Sequence, residues 1–262
     1  MEDFWKLREK VEEALGVEIP VRERFPEREE IPEGEENLTV FLARHTDITL
    51  LHPAATREDI RKLCEDAKRW GFFSVIVNPY YVALCSELLE GSGVLVGVAV
   101  GFPLGQNKPE VKAREARLAF QEGAREADMV VNLAALKSGD WKVVYQDIRG
   151  VVEEMSPCRV KVVLEAGYLT REEKVVGCLI AQAARAHFVK TSTGFGPSGA
   201  TEEDVRLFRE VVGSSLGVKA AGGIKTRTQA LALLKAGANR LGTSTVGILT
   251  SEAPQAPDQL QR

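Results

Sequence analysis

Val160-Lys161-Val162-Val163-Leu164-Glu165, then Thr170-Arg171-Glu172-Glu173, then His187-Phe188-Val189-Lys190-Thr191: these three runs read as strand, helix start and strand. The first and third are short apolar runs suited to a strand. The second sets a hydroxyl before an acidic first turn, the pattern of a helix N-cap. Two strands joined by a capped helix form a βαβ unit, whose strands are parallel and whose crossover is right-handed.

The same rhythm runs outward in both directions. Strands are predicted at Thr46–Leu50, Phe73–Val77, Val94–Val100, Asp128–Asn132, Val160–Glu165, His187–Thr191, Val218–Ala221 and Arg240–Thr243. Between them, helical periodicity falls near 57–70, 80–90, 109–126, 140–155, 170–185, 201–214 and 226–237, and Leu38–His45 reads as a helix feeding the first strand. Thr56 and Thr201 repeat the cap signal, and Gly71 and Gly237 read as C-terminal stops. Eight strands alternating with helices favour a closed barrel over an open sheet. The predicted fold class is α/β, a (β/α)8 TIM barrel over residues 37–250. It is preceded by an N-terminal helical, acidic extension at 1–36 and followed by a polar tail at 251–262. Within the extension, Phe4, Trp5, Leu7, Val11 and Leu15 mark an amphipathic helix. Pro20–Glu36 is rich in Glu, Arg and Pro, and the whole segment reads as a solvated appendage.

The chain has 262 residues, 44% hydrophobic and 27% charged, with a formal charge of −4. That balance gives nucleic acid or an anionic membrane no electrostatic attraction. No apolar run approaches the roughly 20 residues of a membrane span. The N-terminus lacks the apolar core of a secretory signal, so the expected location is cytoplasmic. Cys64, Cys85, Cys158 and Cys178 are scattered, as reduced thiols would be. The three histidines are not grouped with acids at ligand spacing. No dinucleotide or P-loop fingerprint occurs, and no metal or cofactor is expected.

A barrel of this kind carries its site at the C-terminal ends of the strands. There the sequence places Asp47 and Thr49 on the first strand, Asp128 on the fourth, Lys161 and Glu165 on the fifth, Lys190 on the sixth and Lys219 on the seventh. Lys190, Asp128 and Lys219 interrupt apolar strands and are candidates to face the mouth. A free lysine titrates near ~10.4 and must fall well below that to attack a carbonyl at neutral pH. Burial and a second lysine both push it down. Thr191-Ser192-Thr193-Gly194 follows Lys190 directly. Gly222-Gly223-Ile224-Lys225 and Gly242-Thr243-Ser244-Thr245 fall after the last two strands, where such barrels commonly bind phosphate through backbone N–H groups. A nucleophilic lysine beside an anion cradle points to Schiff-base chemistry on a phosphorylated carbonyl compound. A snorkelling lysine, an ion pair lining the barrel and glycines that merely make tight turns are the plainer readings, and spacing leaves both sets open.

The motifs Asp47-Ile-Thr-Leu-Leu, Val77-Asn-Pro, Asp128-Met-Val-Val-Asn, Ala135-Leu-Lys-Ser-Gly-Asp, Lys161-Val-Val-Leu-Glu-Ala-Gly, Phe188-Val-Lys-Thr-Ser-Thr-Gly-Phe, Val218-Lys-Ala-Ala-Gly-Gly-Ile and Arg240-Leu-Gly-Thr-Ser occur in one order. With them the chain, from about Asp47 to Leu249, resembles the 2-deoxyribose-5-phosphate aldolases, class I Schiff-base aldolases on a TIM barrel. The resemblance implies reversible cleavage of 2-deoxy-D-ribose 5-phosphate to D-glyceraldehyde 3-phosphate and acetaldehyde. It implies Lys190 as the Schiff-base lysine, Lys219 as the lysine that lowers its pKa, and Asp128 in proton transfer with Lys219 and a water. Asp47 would order the lysines or the substrate hydroxyls. Thr193, Gly194, Gly222, Gly223, Gly242, Ser244 and Thr245 would bind substrate and its phosphate. It further implies a homodimer or homotetramer. The chain departs from the family pattern at Ile48, His52 and Ile76, and its tail has no tyrosine.

Overall fold

The computed structural model describes residues 2–21 and 29–250. Eight parallel strands close into one barrel in chain order: β1 (Thr46–Leu50), β2 (Ser74–Val77), β3 (Leu95–Val100), β4 (Glu126–Val130), β5 (Arg159–Val163), β6 (Phe188–Lys190), β7 (Gly217–Ala221) and β8 (Arg240–Thr243). The helices are α1 (Glu2–Leu15), α2 (Glu35–Arg44), α3 (Arg57–Trp70), α4 (Val82–Leu88), α5 (Pro109–Gln121), α6 (Leu133–Ser138), α7 (Trp141–Met155), α8 (Arg171–Ala183), α9 (Glu202–Val212) and α10 (Arg227–Ala236).

Local chemistry sets the helix starts. Thr56 accepts from Asp59 N and Thr170 from Glu173 N, each in a reciprocal capping box, and Thr201 accepts from Asp204 N. Thr226 with Gln229 forms a third such box that the sequence reading did not single out. Gly71 ends α3 at φ 70, a conformation that costs a side-chain-bearing residue. Helix α6 was not expected. Asn132, read as the end of a strand, instead caps it by accepting from Ala135 N.

Side chains alternate across each strand, so one set faces the helices and the other fills the barrel. Val75, Val98, Met129, Val162, Val189, Val218 and Leu241 form the apolar layer beneath the helices. The inward set is partly polar, and its large members require small neighbours. A Cβ on Gly97 would strike Ile76, one on Gly217 would strike the Phe188 ring, and one on Gly242 would meet Lys219 Cε at 2.9 Å. Inward glycines therefore leave room for bulky side chains from the adjacent strand.

The extension is not a solvated appendage where it is described. Val11, Leu15 and Ile19 are buried in the main core, and α1 lies on α7 and α8. Gln182 donates to Pro20 O at 2.7 Å, and Arg8 to Ile19 O at 2.6 Å. Each buried aliphatic side chain favours docking by roughly 1.5–3 kcal/mol, against the entropy of ordering the segment. Residues 22–28 and the tail from 251 lie outside the described residues.

Candidate active site

Register brings the inward polar residues into one layer. β4 pairs Asp128 with Lys161 of β5, β6 pairs Lys190 with Lys219 of β7, and β1 sets Asp47 beside Gly242 of β8. Asp128 is the hub. Its Oδ2 accepts from Lys190 Nζ at 2.8 Å and from Lys219 Nζ at 2.7 Å, and its Oδ1 accepts from Lys161 Nζ at 2.9 Å. Lys219 also donates to Asp47 Oδ2 at 2.5 Å. Beneath this layer, Arg240 donates to Asp47 Oδ1 at 2.7 Å, and Lys161 to Glu126 Oε2 at 2.7 Å. The Arg240 guanidinium lies over the Phe73 ring, 3.4 Å from its centroid.

All seven groups are buried. Four formal cations (Lys161, Lys190, Lys219, Arg240) face three formal anions (Asp47, Glu126, Asp128), so the cluster balances when one lysine is neutral. Lys190 is the one pushed that way. Burial disfavours its ammonium, Asp128 opposes that, and the charges of Lys219 and Lys161 add to the push, leaving Lys190 at about 8. Burial works to raise the carboxyl of Asp128, but three lysines override it and hold the group well below its ordinary range. Asp47 is likewise held ionised by Lys219, Lys161 and Arg240 against burial. Lys161 is raised: burial opposes its charge, and Asp128, Glu126 and Asp47 outweigh it. Only Lys190 pairs burial with a single carboxylate partner, and of the three lysines only Lys190 retains slight exposure, at 3% of its side chain.

The loops above differ from the strand-end reading in two places. β4 spans 126–130 rather than 128–132, which puts Asp128 mid-strand and adds Glu126 two residues earlier on the same face. β5 ends at Val163, so Glu165 leaves the sheet. Glu165 sits at φ 52 with its buried carboxylate accepting from Thr193 N, at 3.2 Å to Oε2, and from Thr193 Oγ1. A positive φ on a side-chain-bearing residue is strained, and here it aims the carboxylate at the loop after β6. Thr193 is therefore held by Glu165, while Gly194 is open and at φ 90.

Gly222 and Gly223, at φ 97 and 74, follow β7, and Ser244 and Thr245 follow β8, all at the C-terminal face. Gly223 is exposed, and nothing would touch a Cβ built on it. Gly242 differs from these. It lies inside β8, paired with Asp47 and Ala221, and its place makes room for Lys219. Ser192 is buried, and its hydroxyl has no partner among the described residues. The histidines are engaged with backbone: His45 Nδ1 lies 2.8 Å from Phe41 O, and His187 Nδ1 accepts from Val160 N.

Residues 40–249 match the family model described as DeoC/LacD family aldolase. The chain belongs to this aldolase family. Deoxyribose-phosphate aldolase of Thermococcus gammatolerans is 54% identical over 208 residues, covering 78% of this chain and 92% of that one. The enzyme of the same name from Thermotoga maritima is 52% identical over 197 residues, 75% of this chain and 79% of that one. Among solved structures, the tetrameric deoxyribose phosphate aldolase from Aeropyrum pernix superposes with a TM-score of 0.76 at 32% identity. It covers 93% of this chain and 95% of that one. The fold expected from the family, a single eight-stranded barrel, is the fold observed.

Sequence reasoning named Lys190, Lys219, Asp128 and Asp47, and the structure brings all four together. It gave no role to Lys161 and overlooked Glu126 and Arg240. Counting back two residues from Asp128 and Gly242 would have found the latter pair, because a period of two keeps a residue on one face.

Proposed function

We propose that this chain is a class I aldolase that reversibly cleaves 2-deoxy-D-ribose 5-phosphate to D-glyceraldehyde 3-phosphate and acetaldehyde. The observation that carries this reading is Lys190, buried, held at about 8, and sharing one oxygen of Asp128 with Lys219. A lysine so placed supplies a neutral amine near physiological pH.

Lys190 Nζ attacks the C1 carbonyl of the open-chain sugar, and loss of water gives an iminium. Proton removal from the C3 hydroxyl lets the C2–C3 bond break. Its electron pair moves into the iminium to form an enamine, and D-glyceraldehyde 3-phosphate leaves. Protonation of the enamine at C2 and hydrolysis release acetaldehyde and restore the amine. Asp128 with Lys219 and a water relays these protons, and Asp47 orients Lys219 and a substrate hydroxyl. The iminium is the electron sink, so the lysine does the work a metal would otherwise do.

Phosphate is assigned to the backbone N–H groups and hydroxyls at Gly194, Gly222, Gly223, Ser244 and Thr245, with Thr193 at the carbon chain. Gly194 and Gly223, open and at positive φ, support this, because they let an anion approach the backbone closely. The protein is expected to act in the cytoplasm as a homodimer or homotetramer. No helix among the described residues is long and apolar enough to cross a membrane. A coupled assay of D-glyceraldehyde 3-phosphate release tests the reading. Release from the phosphorylated sugar, abolished in Lys190→Ala, is expected; a folded wild-type protein that releases none would overturn it.

A further inference from the structure

Two loops meet across the mouth at one aromatic contact. Phe102 follows β3 and Phe195 follows β6, strands separated in the barrel by β4 and β5. Their ring centroids are 5.3 Å apart at 88°, an edge-to-face pair. Each loop leans over the strand end that lies between them. Gly105 is pressed so closely on the Val131 carbonyl, after β4, that no Cβ would fit. Gly196 is pressed on the Glu165 carboxylate, after β5, in the same way.

Both arms are pinned by buried or half-buried acids. Glu115 of α5 accepts from Gly101 N at 2.6 Å, one residue before Phe102, and Glu165 grips Thr193, two residues before Phe195. The contact therefore joins two fixed arms and is not a chance meeting of loop tips. Phe195 is nonetheless 45% exposed, so a face of this apolar bridge stays available to a ligand. No charged side chain occurs between Thr193 and Ala200, or between Gly101 and Asn107. The two loops bring no charge of their own to this side of the mouth, and the carboxylates they meet, Glu115 and Glu165, are engaged by Gly101 N and Thr193 N.

We propose that Phe102 and Phe195 form a specificity-determining wall against which the carbon chain of the aldehyde partner lies. This rests on the aldolase reading above. Lys190 ends β6, and Gly194 and Phe195 lie in the loop that follows it, so a carbon chain bonded to Lys190 with its phosphate at Gly194 lies beside Phe195. The wall removes that chain from water and favours apolar carbon over charged substituents there.

The test uses straight-chain aldehydes, propanal through hexanal, as acceptors with acetaldehyde as donor. In the wild type kcat/KM is expected to climb about two- to fourfold per added methylene, the range for partial to full burial of that group. Phe195→Ala and Phe102→Ala flatten the climb, while Phe195→Leu, which keeps an apolar surface, retains much of it. Thermal unfolding of each variant shows that it is folded. An unchanged climb in both alanine variants, or no climb in the wild type, overturns the wall. A wild type that joins no aldehydes at all overturns the aldolase reading instead, so the two failures are distinguishable.

Discussion

Replacing Lys219 by methionine should move the working pH of Lys190 by about two pH units. The two ammoniums bind the same oxygen of Asp128, at 2.7 and 2.8 Å, so they lie no more than about 5.5 Å apart. At an effective dielectric of about 20, two like charges at that separation repel by about 3 kcal/mol. One pH unit corresponds to about 1.4 kcal/mol, so losing Lys219 returns Lys190 from about 8 to roughly 10. At pH 7 the neutral fraction falls from about one in ten to about one in a thousand, and kcat/KM should fall about a hundredfold. The sign is fixed: removing a cation stabilises the remaining ammonium, so the acid limb moves to higher pH. The assay is kcat/KM for deoxyribose 5-phosphate from pH 6 to 11 in both proteins. A variant whose activity recovers toward pH 10 supports the electrostatic role. A variant that loses activity with its limb still near 8 refutes it and leaves Lys219 to act through proton transfer alone.

Three further outcomes follow from the same geometry. Lys190→Met should stabilise the protein by about 3 kcal/mol at pH 7, because an ammonium held at about 8 when folded and near ~10.4 when unfolded opposes folding. That penalty is complete below about pH 8 and gone above about 10.4, so urea midpoints of the two proteins should converge as pH rises; a constant gap contradicts it. Glu126→Gln leaves Lys161 and Arg240 short of an anion in a sealed layer and should cost about 3–5 kcal/mol, read from denaturant unfolding, with no loss expected if the layer admits water. Gly222→Ala puts a side chain at φ 97 against Gly199 and should raise KM for the phosphorylated sugar about tenfold, while unphosphorylated deoxyribose is unaffected; equal effects on both would remove phosphate from that loop.

The barrel was legible because every strand and most helices carry local marks. Thr56, Thr170 and Thr201 announce helix starts, and the apolar runs of β1 and β8 end where the sequence places them. The lysines were legible for a related reason: a charge inside an apolar strand of three to five residues has few places to go except the mouth. Lys161, Glu126 and Arg240 were harder to assign. Their partners lie 33 to 193 residues away, and only strand register brings them together. The Phe102–Phe195 contact is invisible for the same reason, since each ring sits alone in a glycine-rich loop. The docked α1 was misread because composition reports the acidic outer face, while Val11, Leu15 and Ile19 meet α7 and α8 only in three dimensions.

Covalent trapping tests the central claim most directly. The protein is incubated with acetaldehyde and sodium borohydride, digested, and mapped by mass spectrometry. A reduced two-carbon adduct on Lys190, absent from Lys219 and Lys161, is the expected result, since Lys190 is lowered to about 8 and is the one lysine of the three whose side chain retains exposure. A folded protein that carries no adduct, or carries it on Lys219, would contradict the assignment of Lys190 as the nucleophile.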